Sequence, residues 1–254
     1  MAAETLYGIH PVLEALQGGQ RHIWKVFVST HRQGAEIQRI LALAAREGIP
    51  IETVERAHLS RMLGHDTHQG IAAVVQPLGY QSFAQAEQRL AATPGPQTIL
   101  VLDGVTDIGN FAALIRSAVA FGVETILLPR HNSVPLTSAV AKRSAGAIEQ
   151  VALVQAVNLV RALETLKQKG FWIYGADAHA AMSVAHVQWP ERLALVLGAE
   201  GRGIRRLVRE GCDVLVRIPM RPGVNSLNVA VAGAIILAYN WERRAVISPS
   251  TPRV

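Results

Sequence analysis

The spacing of apolar residues divides the front of the chain into short alternating elements. Ala35–Arg46 places Ile37, Ile40, Leu41 and Ala44 on one helical face, whereas Ile23–Val28 is a short apolar run of strand length. The same reasoning, with Gly and Pro as stop signals, gives strands over 23–28, 51–54 and 70–76 and helices over 10–17, 35–46 and 56–63. The pattern over residues 10–76 therefore predicts a small α/β module.

A second βα rhythm begins beyond residue 97. Its apolar runs predict strands over 98–102, 125–128, 151–154, 172–174, 193–197 and 214–218, and helices lie between them over 110–121, 137–145, 159–169, 204–210 and 226–244. Continuous apolar strands alternating with helices are typical of a parallel sheet that is buried on both faces. The fold class predicted for this half is accordingly α/β with a mainly parallel sheet.

The two patterns are separated by a polar segment that ends in Thr93-Pro94-Gly95-Pro96. We therefore predict a small domain over 1–79, a linker over 80–97 with a helical patch at 84–90, and a larger domain over 98–254. The balance of charged residues also differs between the two predicted domains. Residues 1–79 contain seven Lys/Arg and seven Asp/Glu, and residues 98–254 contain 17 and 11, so the formal net charge of +6 arises in the larger domain. A basic balance indicates a polyanionic partner.

Composition narrows the class of protein further. Half of the residues are hydrophobic and 17% are charged, as in a chain with a packed core. The single cysteine, Cys212, excludes an internal disulfide framework, and the first residues lack an apolar segment behind a basic start. The longest apolar run, 229–239, is too short to span a bilayer. We expect a cytoplasmic protein with no membrane partner.

Candidate chemistry lies in three loops that follow predicted strands, because ligands of parallel sheets bind at the carboxyl ends of the strands. The loops are Asp103–Asn110, which leads to Arg116; Gly198–Gly203, which contains Glu200; and Ile218–Asn228, which contains Ser226. Each loop alone is about as consistent with a capped helix or an ordinary glycine turn as with a ligand site. Asp107 or Asn110 could cap the helix after the first loop, and Ser226 could cap the long helix after the third. The glycine loop matches neither GxGxxG nor GxxxxGK[ST], which argues against a dinucleotide-dependent oxidoreductase. Together the loops form a credible site.

The three loops in order resemble the signature motifs of a known family. DGVTDIGNFAALIRSAVAFGVETILLP, LALVLGAEGRGIRRLVREGCDVLVRIPM and VNSLNVAVAGAIILAYNWERR are similar to the motifs of the SpoU (TrmH-like) RNA ribose methyltransferases. YGIHPVLEAL and HQGIAAVV resemble the N-terminal domain of the subgroup that methylates a guanosine ribose in large-subunit ribosomal RNA. The resemblance implies a SPOUT methyltransferase domain with a deep trefoil knot, an L30e-like RNA-binding front domain and a homodimer.

The resemblance also implies a cofactor and roles for residues. The methyl donor would be S-adenosylmethionine, bent within the knot loops. Its contacts would be made by Gly198, Ala199, Gly201, Ile218, Met220 and Leu227. The catalytic positions would be Asn110, Arg116, Glu200, Ser226 and Asn228. An arginine stays protonated at accessible pH, so we expect Arg116 to orient the ribose hydroxyl and its phosphate, although the family's motif also makes it the candidate base.

The leading functional hypothesis is thus 2'-O-methylation of a guanosine ribose in 23S-type ribosomal RNA. A transfer RNA ribose methyltransferase is the alternative enzyme, and a non-catalytic RNA-binding ribosome-assembly factor is the alternative of another class. No metal is expected. His65 and His68 are a fragment of a ligand set at most, and a loop leading into a strand explains them better. The basic stretch around Arg202, Arg205, Arg206 and Arg209 fits either phosphate contact or a solvated helix face.

Overall fold

The computed structural model describes residues 3–131 and 133–247, which form two compact units. The first comprises the described residues of Met1–Gly79 and Pro135–Gln150, and the second those of Tyr80–Val134 and Val151–Val254. The elements in chain order are β1 (Glu4–Tyr7), α1 (Ile9–Gly18), β2 (Ile23–Ser29), α2 (Ala35–Arg46), β3 (Ile51–Val54), α3 (Arg56–Leu63), β4 (Ile71–Val75), β5 (Gln81–Ser82), α4 (Phe83–Ala92), β6 (Gln97–Asp103), α5 (Ile108–Ala120), β7 (Thr125–Pro129), α6 (Ser138–Arg143), β8 (Ala152–Ala156), α7 (Leu159–Gln168), β9 (Trp172–Ala176), β10 (Met182–Ser183), β11 (Arg192–Gly198), α8 (Arg206–Glu210), β12 (Val214–Arg217) and α9 (Val229–Ile247).

The first unit is built on a four-stranded sheet in the order β1-β4-β2-β3. β4 pairs antiparallel with both β1 and β2, and β3 pairs parallel with β2. The three predicted strands and three predicted helices of this region are all present, with bounds that differ by a few residues. The sequence pattern missed β1, which is only four residues long and contains a single fully buried side chain, Leu6.

Residues 135–150 also belong to the first unit, although the sequence pattern assigned them to the larger domain. α6 packs against β1, and Lys142 Nζ donates to the Thr67 carbonyl at 2.6 Å. Glu149 is fully buried and pairs with Arg21, whose guanidinium also reaches Glu4 Oε2 at 3.1 Å. A buried carboxylate needs such partners, and the partners here are all in the first unit. Long-range pairing of this kind leaves no periodic signal in the sequence.

The expected linker over 80–97 is instead part of the second unit. β5 pairs with β8 at the edge of the sheet, and α4 buries Ala86 and Leu90 in the apolar core. α4 begins with a capping box in which Ser82 and Gln85 satisfy each other's backbone N–H groups. This Ser-x-x-Gln pattern was readable in the sequence as a helix start. Polar composition was a misleading guide because only one face of α4 is buried.

The second unit contains an eight-stranded sheet in the order β10-β12-β9-β11-β6-β7-β8-β5, and every pairing in it is parallel. The parallel α/β sheet is therefore confirmed. All six predicted strands are present, and the two short strands β5 and β10 were not predicted. Strand order does not define how the chain threads, so the trefoil knot stays a prediction. Within the described residues, no helix is long and apolar enough to cross a membrane.

Candidate active site

A cavity of about 790 Å³ opens at the carboxyl ends of β9, β11 and β12 in the second unit. All six predicted donor-contact residues line it, namely Gly198, Ala199, Gly201, Ile218, Met220 and Leu227. Three of the five predicted catalytic residues, Glu200, Ser226 and Asn228, line it as well. The carboxyl edge of the parallel sheet thus gathers the second and third candidate loops around one space of the size that suits a small organic ligand.

The glycine loop owes its shape to a close backbone approach at its first residue. After Gly198 the chain turns back on itself, so that Ala199 and Gly203 exchange backbone hydrogen bonds of 2.8 and 3.1 Å. A Cβ atom at Gly198 would collide with the backbone of Gly203 and Ile204. Glycine is therefore required at this position, and the turn directs the loop that contains Glu200 along the cavity wall.

Asp103 fixes the far end of the same loop. This carboxylate, at the end of β6, is 1% exposed. It accepts from the Arg205 backbone N–H at 2.8 Å and from the Arg205 guanidinium Nε at 2.7 Å. Because both oxygens are used, Asp103 holds the backbone just before α8 and not only its side chain. The sequence analysis placed Asp103 in the first candidate loop but assigned it no role.

Asn228 links the three candidate loops. Its Nδ2 donates to Asn110 Oδ1 at 2.8 Å and to Glu200 Oε1 at 2.7 Å. Its Oδ1 accepts from the backbone N–H of Ala230 at 2.9 Å and of Val231 at 3.3 Å, and so caps α9. A flipped amide would turn its N–H groups against backbone donors, so the orientation of Asn228 is fixed.

The residues that cap the N-termini of α5 and α9 differ in part from those that the sequence predicted. Asp107 caps α5 by accepting from the Asn110 backbone N–H at 2.7 Å, as one of the two alternatives had it. Ser226 had been expected to cap α9, but the structure assigns that role to Asn228, two residues closer to the first helical residue. Ser226 is exposed and lines the cavity.

Arg116 is the predicted site residue that the structure does not bring into the cavity. It lies on α5, six residues beyond Asn110 and about 9 Å further along the helix axis, and its side chain is exposed. Asn110 does not line the cavity either, but its side chain accepts a hydrogen bond from Asn228, which does. The first motif therefore reaches the cavity lining through Asn110, and Arg116 is exposed outside that lining.

The cavity also has polar lining that the sequence analysis missed. Asp177 and His179 follow β9, and Arg209 comes from α8. Burial acts to raise the pKa of Asp177, but hydrogen bonds from the His179 backbone N–H and the Arg209 guanidinium outweigh it, so the pKa is lowered. The position of Asp177 just after a core strand was the available signal.

The basic stretch at 202–209 is largely neutralised by local acids. Arg205 pairs with Asp103, Arg206 with Glu210 and Arg209 with Asp177. Arg202 is exposed and lines the cavity. Among the described residues there is no group of three His, Cys, Asp or Glu side chains that could hold a metal ion.

The fold and the cavity define an α/β enzyme with a preformed small-molecule site at the edge of a parallel sheet. Comparison with known proteins gives the family: residues 97–238 match the SpoU rRNA methylase family, and residues 5–81 match the RNA 2'-O ribose methyltransferase substrate-binding family. The chain belongs to the SpoU rRNA methylase family and is a methyltransferase.

Three similar proteins illustrate the match. The chain is 38% identical over 243 residues to the 23S rRNA (guanosine-2'-O-)-methyltransferase RlmB of Pseudomonas putida, covering 96% of this chain and 98% of that one. The SpoU methyltransferase AviRb of Streptomyces viridochromogenes, crystallised with AdoMet, has a TM-score of 0.77 at 19% identity over 96% of this chain and 91% of that one. The A. aeolicus TrmH/SpoU tRNA modifying enzyme has a TM-score of 0.53 at 24% identity, covering 67% of this chain and 90% of that one.

Proposed function

We propose that this protein transfers a methyl group from S-adenosylmethionine to the 2'-hydroxyl of a guanosine ribose in 23S-type ribosomal RNA. The observation that carries the proposal is the hydrogen-bonded set Asn110–Asn228–Glu200, which joins all three SpoU-like motifs at the wall of one cavity. Full-length similarity to a 23S rRNA guanosine-2'-O-methyltransferase supports the substrate class.

The cavity fits the proposed cofactor. Its volume of about 790 Å³ lies within the usual range for cofactor sites. Leu197, Ile218 and Leu227 offer an apolar wall for an adenine ring, and the exposed backbone of the glycine loop offers donors and acceptors. Glu200 supplies negative charge that suits the ammonium and sulfonium groups, whereas the charge of Asp177 is already paired with Arg209. When bound, S-adenosylmethionine supplies an electrophilic methyl group.

The chain's own residues would then orient the hydroxyl nucleophile. Asn228 fixes the Glu200 carboxylate through a 2.7 Å hydrogen bond, so this acceptor stays in place without reorganisation. Arg116 is exposed on the helix that begins beside Asn228, where its guanidinium could bind the phosphate next to the target ribose. In this scheme Arg116 would position the substrate, and the 2'-hydroxyl would lose its proton to a nearby acceptor as its oxygen takes the methyl group and the bond from that methyl group to the sulfonium sulfur breaks.

A ribosomal substrate is favoured over transfer RNA by the extent of the similarities. The P. putida rRNA enzyme is 38% identical to this chain over 96% of its length, and residues 97–238 match the SpoU rRNA methylase family. Residues 5–81, at the front of the chain, match the RNA 2'-O ribose methyltransferase substrate-binding family. We assign the front unit to RNA binding on this basis.

We further propose that the protein acts as a homodimer in the cytoplasm. α5 and α9 pack together and leave Ile108, Val231 and Trp241 exposed by 36%, 49% and 41%. Apolar side chains clustered on neighbouring helices favour an interface, and a second copy would cover them. Sedimentation of the wild type and Trp241→Glu tests this: we expect a dimer that the substitution weakens, and a monomeric wild type would refute it.

The decisive experiment incubates the protein with labelled S-adenosylmethionine and either deproteinised ribosomal RNA or transfer RNA, and then maps the modified nucleotide. We expect a 2'-O-methylguanosine in the large-subunit RNA. Methyl incorporation into transfer RNA alone would refute the substrate assignment. RNA binding without any methyl transfer would favour the assembly-factor alternative.

Arg116→Ala tests the positioning role. We expect turnover to be abolished while calorimetry finds S-adenosylmethionine binding unchanged, because Arg116 does not line the cavity. Arg161→Ala, an exposed arginine in the first turn of α7, is the matched control and should retain activity. Loss of donor binding in Arg116→Ala would instead place Arg116 in the cofactor site.

A further inference from the structure

One edge of the four-stranded sheet in the first unit brings several chain segments together. β1, β2 and β3 end there and β4 begins there, since Gly8 N–H donates to the Ile71 carbonyl at 3.2 Å and Ser29 N–H donates to the Gly70 carbonyl at 2.8 Å. The loop after α3 and the C-terminal turn of α6 reach the same edge. We name this edge, defined by Arg32, Arg56 and Lys142, the cationic edge.

Each cation of the cationic edge is held by a specific contact. The aliphatic carbons of Arg32 lie over Gly70, so close that an added Cβ there would meet Arg32 Cγ at 3.2 Å. Arg56 Nη2 donates to the Asp66 carbonyl at 3.3 Å. Lys142 Nζ donates to the Thr67 carbonyl at 2.6 Å and lies 4.8 Å from the centre of the Tyr7 ring.

Two ring contacts and one buried histidine also lie at the cationic edge. The Tyr7 and His65 rings are 4.4 Å apart between centroids. His68 is buried, and its Nε2 is 3.1 Å from Ser60 Oγ. Burial lowers the pKa of His68, and the positive charges of Arg56 and Lys142 lower it further against the opposing effect of Asp66.

The charges of the cationic edge are not neutralised locally. Over the part of the chain that the structure describes, none of the three cations has a carboxylate within 4 Å, whereas Lys25 pairs with Glu52 and Arg46 with Glu47 elsewhere in this unit. The acid on the edge, Asp66, accepts a hydrogen bond from Ser60 Oγ. Arg32 and Arg56 are exposed, and Lys142 uses one of its three donors on Thr67.

We propose that the cationic edge binds the phosphates of the substrate RNA strand, and that residues 135–150, within the methylase-family match, complete it by contributing Lys142. This inference rests on the proposed RNA substrate and adds to it the residues that bind the strand. Cations spread along an edge, with the Tyr7 ring beside Lys142, suit the repeated charges of a nucleic acid backbone better than a single anion, which needs convergent donors.

The test measures binding of a fluorescein-labelled transcript of 23S ribosomal RNA to the full-length protein by anisotropy at several salt concentrations. The variants are R32Q/R56Q, which changes two exposed side chains, and K142M, which keeps the aliphatic stem over Tyr7. The control is R46Q, which removes a paired cation from the end of α2, where the chain turns towards the start of β3. Removing one cation that binds a phosphate should lower the slope of log Kd against log salt by about 1.

We expect R32Q/R56Q to raise Kd about tenfold and to reduce the salt slope by about 2, and K142M to reduce it by about 1. R46Q should stay within about twofold of the wild type, and melting temperatures and S-adenosylmethionine binding should be unchanged in all variants. A wild-type protein that binds and methylates the RNA, with variants that bind equally well, would overturn the cationic edge alone. A wild type that binds no RNA would overturn the proposed function itself.

Discussion

The polar edges of the two sheets differ in how their charges are used. At the cavity of the eight-stranded sheet, charged groups pair with one another: Arg205 binds Asp103, and Arg209 binds Asp177. At the edge of the four-stranded sheet, Arg32 and Arg56 have no carboxylate partner among the residues described. Most of the charged groups at the first edge are paired, and the second edge keeps the charge of its cations.

This difference indicates two modes of recognition in one chain. A preformed cavity with fixed hydrogen bonds selects a small ligand by shape and orients it for reaction. Unpaired surface cations attract a polyanion over a distance but distinguish poorly between nucleic acid sequences. Substitutions at the cavity should therefore leave RNA binding intact, and substitutions at the cationic edge should leave donor binding intact.

The largest effect is expected from Gly198→Ala. The new Cβ would collide with the backbone of Gly203 and Ile204, so the glycine loop could not close. We expect S-adenosylmethionine binding to weaken by roughly 100-fold or more, equal to about 2.7 kcal/mol, as measured by calorimetry. RNA binding by anisotropy should be unchanged.

Gly211→Ala is the matched control, because the backbone there has an ordinary helical φ of −76° and the nearest atom to an added Cβ is 3.3 Å away. It should bind the donor normally. Donor binding that survives Gly198→Ala would show that the loop does not form the cofactor site.

The same loop shows how far the sequence could be interpreted. Strand position and glycine content identified Gly198–Gly203 as a candidate, and the resemblance to SpoU motifs selected it over an ordinary turn. The sequence could not reveal the Asp103–Arg205 contact, because residues 102 positions apart leave no periodic signal. Likewise, Glu149 is grouped with Arg21 only by the folded chain. Regular elements follow local patterns, whereas polar partnerships depend on tertiary packing.

The next effect is expected from Asn228→Asp. The carboxylate can still cap α9 through Oδ1, but it cannot donate to Asn110 and Glu200, and it places a negative charge beside Glu200. We expect kcat to fall about 100-fold, measured by steady-state kinetics at saturating donor. Asn158→Asp, which preserves the cap of α7 and touches no site residue, should keep full activity. Equal loss in both variants would argue that only capping matters.

A smaller effect is expected at the other edge from Gly70→Ala. Gly70 has a φ of +77°, and an added Cβ would meet Ser29 Oγ at 2.5 Å and the stem of Arg32. We expect the free energy of unfolding to fall by about 1–3 kcal/mol in urea titrations, with weaker RNA binding and intact donor binding. Gly64→Ala has a similar φ of +73° but open space around it, so it isolates backbone strain. If Gly64→Ala costs as much as Gly70→Ala, the packing of Arg32 on Gly70 contributes nothing.

The smallest effect concerns Asp177, and it tests whether the cavity charges are truly paired. Because the folded-state pKa of Asp177 is lowered below its ordinary value of 3.8, its stabilising contribution is complete above about pH 4 and declines as the pH falls through the lowered pKa. Asp177→Asn should therefore lower the free energy of unfolding by about 0.5–1 kcal/mol at pH 7, a range set by the partial exposure of Arg209. The difference from wild type should shrink in urea titrations below pH 4. A difference that stays constant across that range would mean that the Asp177 carboxylate gains nothing from Arg209, and that the pairing distinguishing the two edges has no energetic consequence.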